Sequence, residues 1–309
     1  MKKNRWLIAA SAIAIHLSIG GAYAYSVYKN PIATELGWDA SQITIAFTIM
    51  MGLAGFAAAL FGSTVEKLGP RKAAMVAAVL FGLGQGGAGI AIAMDSVVLY
   101  WLTYGLLSGL GMGIGYIAPV STLVKWFPNR RGLATGMAVL GFGSGALITA
   151  PVAANLMQAV GISNTYYILG ISYFLLMIAG ALYIAPPKPG EVEDMVATGK
   201  AKSQEIAQMS AREAVRTKQF WMLWSMHLIN VTSGLMMISV ASPMAQEIAG
   251  LSVAAAATMV GLMGLFNGGG RLLWAAGSDY IGRSNVFVIF FTIQLIAFIT
   301  LPFTTNAIL

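Results

Sequence analysis

Apolar residues run along this chain in long unbroken blocks, and short polar turns separate them. Roughly nine blocks can be marked, at 6–27, 42–62, 73–94, 97–123, 133–157, 166–184, 220–240, 253–276 and 286–302. A helix needs about 20 residues to cross the roughly 30 Å hydrocarbon core of a bilayer, and each block is close to that length. Backbone polar groups find no water inside lipid, so a crossing segment must satisfy them internally. Long blocks without period-two alternation therefore predict helices. The expectation is an all-α membrane protein.

Composition sharpens this. Hydrophobic residues make up 58% of the 309 and charged residues 9%, against about 25% charged in a soluble domain. A soluble fold could not cover its surface with so few charges. The formal net charge of +7 would suit a nucleic-acid partner, but the positions of the cations argue otherwise. If the N-terminus is cytoplasmic, that side holds Lys2, Lys3, Arg5, Lys67, Arg71, Lys72, Lys125, Arg130, Arg131, Lys188, Lys200, Lys202, Arg212, Arg216, Lys218 and Arg283. The opposite loops hold Lys29, and Arg271 lies within a span. Such a bias is the positive-inside pattern. It predicts a multi-pass protein of a bacterial or archaeal cell (inner) membrane, with a cytoplasmic N-terminus, the lipid bilayer around it and no nucleic-acid partner.

The chain has no cysteine, which excludes disulfides, thiolate metal sites and a cysteine nucleophile. His16 and His227 each stand alone in an apolar block, and a metal site needs several convergent ligands. Neither a metal nor a cofactor is expected, and no nucleophile–base pair marks an enzyme. The first block also fits a signal peptide, because Lys2, Lys3 and Arg5 precede it and Ala22-Tyr23-Ala24 has the form of a cleavage site. The reading taken is an uncleaved first span, which a polytopic chain needs to set its orientation.

Residues 186–218 interrupt the series with Pro186-Pro187, Pro189-Gly190, Glu191, Glu193, Asp194 and several lysines. They are expected to form a cytoplasmic linker with a short amphipathic helix near its end. It joins an N-terminal six-helix half, 1–185, to an incomplete C-terminal half of about three helices, 219–309. Turns repeat in matching places. Glu66-Lys67-Leu68-Gly69-Pro70-Arg71 follows the second block, and Asp279-Tyr280-Ile281-Gly282-Arg283 follows the second block after the linker. Parallel repeats of this kind are a transporter signature.

These turns and three further motifs carry a family resemblance. Gly62-x-x-x-Glu66-Lys67-x-Gly69-Pro70-Arg71 matches the cytoplasmic signature of major facilitator transporters, with Glu66 for aspartate and Pro70 for arginine. More specific are Lys125-Trp126-Phe127-Pro128-Asn129-Arg130-Arg131-Gly132-Leu133-Ala134, Gln219-Phe220-Trp221-x-Leu223-Trp224 and Leu265-Phe266-Asn267-Gly268-Gly269. Together they resemble the oxalate/formate antiporter family of the major facilitator superfamily, over essentially the whole chain. The resemblance implies a major facilitator fold of two parallel helical halves, with about nine of twelve transmembrane helices present and the rest expected beyond Leu309. It implies conformational or gating roles for Gly62, Glu66, Gly69, Arg71, Arg130, Arg131, Asp279, Gly282 and Arg283. Glu66 and Asp279 would pair with helix ends and basic loops as the inner face closes. The second copy departs from the signature at Ala275 and Ser284.

Glycines recur along two blocks: Gly105, Gly109, Gly111, Gly113 and Gly115 in the fourth, and Gly136, Gly141, Gly143 and Gly145 in the fifth. Small residues let helices approach closely in lipid, which serves tight packing, a rocking surface for alternating access, or both. Gly141-Phe142-Gly143-Ser144-Gly145-Ala146 has the look of a dinucleotide loop, but no strand precedes it, and it is set aside.

Arg271 is the candidate of greatest interest. It precedes Asp279 by two helical turns and more, about 12 Å at 1.5 Å per residue, which places it near the bilayer midplane. Snorkelling is the plain alternative, and that depth makes it hard. All eleven Asp and Glu fall in loops or at span ends, so a carboxylate substrate is the fitting partner, gripped by two parallel hydrogen bonds. Tyr23, Tyr25 and Tyr28 of the first block and Tyr116 of the fourth offer hydroxyls and an aromatic wall. The family resemblance implies that Arg271, Tyr23 and Tyr116 bind substrate, that Thr44 stands where the family has glutamine, and that Phe142 stands where it has tyrosine. A second cation, a lysine, would lie beyond Leu309. These departures leave small monocarboxylates as open as oxalate. The expected activity is secondary transport of a small carboxylate such as oxalate, formate or lactate, by anion exchange through alternating access, in a monomer when complete. The alternatives are a proton-coupled monocarboxylate transporter, with His16 and His227 as titratable groups, and a non-transporting sensor or remnant.

The orientation is tested with single cysteines in this cysteine-free chain. Cysteines at Gly37 and Asp95 should react with an impermeant reagent from outside, and one at Gly199 after permeabilisation alone. Outside labelling at Gly199 would reverse the orientation.

Overall fold

The computed structural model of the chain describes residues 3–128, 131–188, 191 and 211–303. Arg130 and most of the linker lie outside these, as do the side chains of Arg131, Asp279 and Arg283. The regular elements described are all helical. They are α1 (Arg5–Gly20), a 3-10 turn (Gly21–Ala24), α2 (Tyr25–Leu36), α3 (Ala40–Leu68), α4 (Pro70–Ala93) and α5 (Val97–Tyr100). A π-helical stretch (Trp101–Leu107) leads into α6 (Ser108–Trp126), then α7 (Arg131–Val160) and α8 (Ile162–Tyr183). After the linker come α9 (Ala211–Ala214), α10 (Lys218–Glu247), α11 (Val253–Ile281) and α12 (Arg283–Thr300).

Among the described residues, eight helical segments are long and apolar enough to cross a bilayer, α1 with α2 counting as one and α5 with α6 as another. About nine were expected, and the remaining block is a shorter apolar helix. The ninth block forms α12, whose apolar stretch Ser284–Thr300 is shorter than the others. Arg283 starts it, and a 3-10 turn at Leu301–Phe303, containing Pro302, ends it.

The sequence repeat is a repeat of backbone. Gly37 takes φ +66°, Asp39 caps α3 through a box with Gln42, and α3 runs 29 residues to Gly69 at φ +82°. Gly250 takes φ +66°, Ser252 caps α11, and α11 runs 29 residues to Gly282 at φ +85°. The intervals agree residue for residue, and α4 and α12 start at once after the second glycine of each set. Each of these glycines sits at a left-handed φ that a side chain would strain. Gly69 and Gly282 donate their N–H groups to Val65 and Ser278, closing the last turns of α3 and α11. Glu66 and Asp279 stand three residues before those glycines. An acid in the last turn opposes its own helix dipole, so a favourable partner must come from another element. Glu66 and Arg71 are exposed.

The centre of the bundle is α7. Its apolar window is 72% buried, against 22% for α10. It packs on α1, α6, α8 and α11. The glycine stripes divide between two sets of neighbours. An added Cβ at Gly105, Gly109 or Gly113 would strike α3, and one at Gly111 or Gly115 would meet α4, so the fourth span's glycines pack the first half. In α7, Gly141 and Gly145 receive α1 at Ile13 and at Gly20-Gly21, whereas Gly136 and Gly143 receive α11 at Leu272 and Gly268. One helix thus holds its own half together and touches the other. The Ala22-Tyr23-Ala24 stretch is buried in the middle of the first span.

Charge separates along the bundle. Lys3 Nζ donates to the Tyr183 carbonyl at 2.6 Å. Burial, with Arg71 and Lys188 close by, holds the Lys3 ammonium below the usual lysine range. At the other end Trp38 Nε1 donates to Asp95 at 2.6 Å, and Asn30 Nδ2 reaches Glu247 across the halves at 3.4 Å.

The α1–α7 contact can be tested by size. Gly145→Val places a branched side chain against the backbone of Gly20-Gly21 and should destabilise by about 1–3 kcal/mol. Melting in detergent should fall clearly for this variant and stay near the unmodified value for Gly52→Ala, where an added Cβ meets nothing within 4 Å. Equal melting of the two variants would show that the contact is not close.

Candidate functional site

The site forms where the break in the first span faces α7 and α11. Gly20 and Gly21 let that break lie against Phe142 and Tyr173, where any Cβ would collide. This puts Tyr23 opposite Arg271. Arg271 donates from Nε to Asn267 Oδ1 at 2.9 Å and from Nη2 to the Tyr23 hydroxyl at 3.4 Å. Asn267 precedes it by four residues, the spacing that places two side chains on one helix face. The guanidinium faces the Phe142 ring at 5.7 Å from its centroid, a distance at which ring and cation attract.

Phe142 is the hub of the aromatic wall. Its ring meets Tyr23 edge-on at 4.9 Å, Tyr116 at 5.4 Å and His16 at 6.3 Å. His16 lies stacked on Tyr116 at 5.1 Å. Four of the five expected substrate residues, Arg271, Tyr23, Tyr116 and Phe142, are therefore in one contact network. The fifth, Thr44, belongs to another group. It accepts from the Tyr25 hydroxyl at 3.2 Å and donates to the Ala40 carbonyl at 2.7 Å. Tyr25 stacks on Phe47 at 4.4 Å, and Tyr28 stacks on Tyr166 at 4.8 Å. The reason is the break at Gly21–Ala24: Tyr23 inside it turns to the second half, while Tyr25 and Tyr28 beyond it pack the first.

Two cavities meet here. The larger, 630 Å³, is lined by Arg271, Asn267, His227, Asn230, Thr135 and Trp274, among others. The smaller, 200 Å³, is lined by Tyr23, Asn267, Gly234, Met237 and Met263, among others. Asn267 borders both, so the Arg271–Asn267–Tyr23 contact stands between them. Sequence reasoning gave no role to Asn267 or Asn230, and named His227 as a titratable group of the proton-coupled alternative alone. The available signal was a polar residue in an apolar span: Asn267 at helical spacing from Arg271, and Asn230 one turn from His227. Asn230 also donates to Gln294 at 3.1 Å, and Gln294 donates to Ser233.

Among the described residues, the partners of Arg271 are neutral oxygens and a ring face. A half-buried guanidinium has five N–H donors, more than these partners use. Such a group can hold an anion.

A bundle of apolar helices made of parallel repeats, with cavities on either side of a lone cation, defines a polytopic membrane transporter. The chain belongs to the Major Facilitator Superfamily, whose family model matches residues 11–309. Similar proteins include the uncharacterized MFS-type transporter YhjX of Escherichia coli (strain K12), 31% identical over 98% of this chain and 73% of that one. The oxalate:formate antiporter of Oxalobacter formigenes is 29% identical over 97% of this chain and 69% of its own length. This agrees with the antiporter-family resemblance carried by the motifs. Monocarboxylate transporter 11 of Homo sapiens is 29% identical over 60% of this chain and 39% of that one. A crystal structure of a D-xylose-proton symporter superposes with a TM-score of 0.58 over 89% of this chain and 70% of that one, at 15% identity, and shares the fold. Family and fold are those of transporters rather than enzymes.

Proposed function

We propose that this transporter carries small organic anions, carboxylates, and that Arg271 is the charge that holds them. The observation behind the reading is the place of Arg271: in the apolar bundle, between two cavities, with neutral partners. Asn267 orients its Nε side, Tyr23 adds a hydroxyl, and Phe142 and Tyr116 supply an apolar wall for a short carbon skeleton. Relatives named for oxalate, formate and monocarboxylates support the same substrate class. A single guanidinium favours one carboxylate, so formate or lactate suits the site at least as well as oxalate.

Transport is by anion exchange. The halves 1–185 and 219–309, joined by the linker 186–218, rock about the contact of α7 with α11, where Gly136 and Gly143 admit the other helix. The repeated turns, with Gly62, Glu66, Gly69 and Arg71 in one copy and Asp279, Gly282 and Arg283 in the other, close the basic end together with Arg130 and Arg131. That end is cytoplasmic, in a bacterial or archaeal inner membrane, and the working unit is a monomer. A second reading, proton-coupled monocarboxylate transport, is favoured by His16 against Tyr116 and Phe142.

Counterflow of labelled formate, lactate and oxalate in proteoliposomes of the whole protein tests the anion site. Loss of a desolvated charge partner costs about 2–5 kcal/mol, so Arg271→Gln should weaken affinity roughly thirtyfold or more. Arg271→Lys should recover part of it, since an ammonium keeps charge without the planar fork. Tyr116→Phe removes one neutral hydrogen bond, about 0.5–1.5 kcal/mol, and should cost less. A folded Arg271→Gln protein with unchanged carboxylate counterflow would make Arg271 structural.

A further inference from the structure

His16 is a fully buried group that the anion site leaves without a task. Its two ring nitrogens each face a backbone carbonyl. Nδ1 lies 2.5 Å from the Ala138 oxygen in α7, and Nε2 lies 3.0 Å from the Tyr116 oxygen in α6. Carbonyl oxygens accept and never donate. A neutral imidazole has one N–H and one bare lone pair, so in that state one nitrogen meets a carbonyl lone pair to lone pair. The imidazolium carries two N–H groups and satisfies both oxygens.

We propose that His16 is a proton-binding site coupled to Arg271, so that a proton on His16 and a carboxylate on Arg271 are bound and released together. This rests on the reading of Arg271 as the anion's partner. Three influences decide the charge of the ring. Removal from water opposes an imidazolium. Arg271, which shares the Phe142 ring with His16, opposes it as well, because like charges repel. The two carbonyls favour it. A carboxylate on Arg271 cancels the second influence, and His16 then takes a proton from water at the open face. The nitrogen nearer its acceptor, Nδ1, holds the proton of the neutral ring. The added proton goes to Nε2, towards the Tyr116 carbonyl. When the anion leaves, the field of Arg271 returns, and the proton leaves to water on that same side. One anion and one proton cross in each step, and nothing else is consumed. Exchange becomes exchange of anion–proton pairs, and a monocarboxylate then crosses without moving net charge.

The surroundings of the ring fit this role. From α6 it meets Tyr116, stacked at 5.1 Å. The break in the first span brings Tyr23, whose hydroxyl is bonded to Arg271 of α11. From α8 the nearest tyrosine towards the break, Tyr173, has its hydroxyl engaged with Thr149 at 2.8 Å. The helix α7 offers Ala138 and Phe142, which do not titrate. None of these is a carboxylate, so the substrate is the anion that can offset the two cations. Coupling runs by contact, from His16 through Tyr116 and Phe142 to the guanidinium.

The experiment uses the whole protein with isotopically labelled histidine ring nitrogens, read by NMR. The chain has two histidines, and His16→Gln and His227→Gln assign their signals. At about pH 6.5, the ordinary histidine midpoint, unliganded His16 should show one protonated and one bare nitrogen, and saturating formate should raise the doubly protonated population by the same roughly tenfold factor that loss of the Arg271 charge gives. An arm without ligand asks the same question. Arg271→Gln or Arg271→Met, both checked for folding by circular dichroism, should raise the doubly protonated population of His16 roughly tenfold, the effect of removing a nearby like charge. Arg271→Lys should leave it near the unmodified level. Formate bound without protonation of His16, or neutral Arg271 variants with an unmodified His16 spectrum, overturns the proposal. Failure to bind formate with a His16 that still answers to Arg271 refutes the anion assignment and leaves the proton site standing.

Discussion

Helices in lipid gain little by burying apolar side chains against one another, because the tails around them are equally apolar. The joining of α1, α7 and α11 depends instead on backbone meeting backbone where side chains are absent. Gly20 and Gly21 lie on Gly145, Ile13 on Gly141, and Gly268 on Gly143 and Ser144. These contacts occupy the same turns as Phe142. They fix its ring between Tyr23, Tyr116 and Arg271, and so the packing of small residues becomes the geometry of a binding site.

Charge is the second constraint. Polar side chains in an apolar bundle must find partners or remain for a ligand to satisfy. Most here have found partners: Gln85 on Ser108, Tyr100 on Tyr166, Thr149 on Tyr173 and Asn230 on Gln294. Arg271 has hydrogen bonds without charge compensation among the described residues. His16 has two acceptors and, when neutral, one donor. Ser26 Oγ is buried without a hydrogen-bond partner, but Arg271 and His16 fall together in one aromatic network, and that network is the candidate site.

The repeat supplies the frame but not the chemistry. The interval from Arg271 to Gly282 in the second copy leads back from Gly69 to Ala58 in the first, and the interval from Asn267 leads to Ala54. Both halves share turns, caps and helix lengths. The cation and its orienting amide occur in one of them, while the tyrosines and the histidine come from the other. A site assembled this way exists only where the halves meet, and any movement between them alters it.

Hydrophobic blocks of bilayer length and cations on one side were enough in sequence to establish a helical membrane protein, because each follows from local chemistry, and the signature motifs added the resemblance to the major facilitator type. Arg271 could be singled out for the same reason: a charge deep in an apolar block needs an explanation wherever its neighbours lie. The lengths of the helices were less legible, since α3 runs Ala40–Leu68 where the apolar block covers 42–62. Contacts between distant segments could not be read at all. Thr44 and Tyr23 were equal candidates in sequence, but the break at Gly21–Ala24 turns Tyr23 to Arg271 and leaves Thr44 with Tyr25. The contacts of Asn267 and His16 were decided by the fold alone, because a hydrogen bond depends on where two backbones pass each other. Here the glycines of α1, α7 and α11 set that approach.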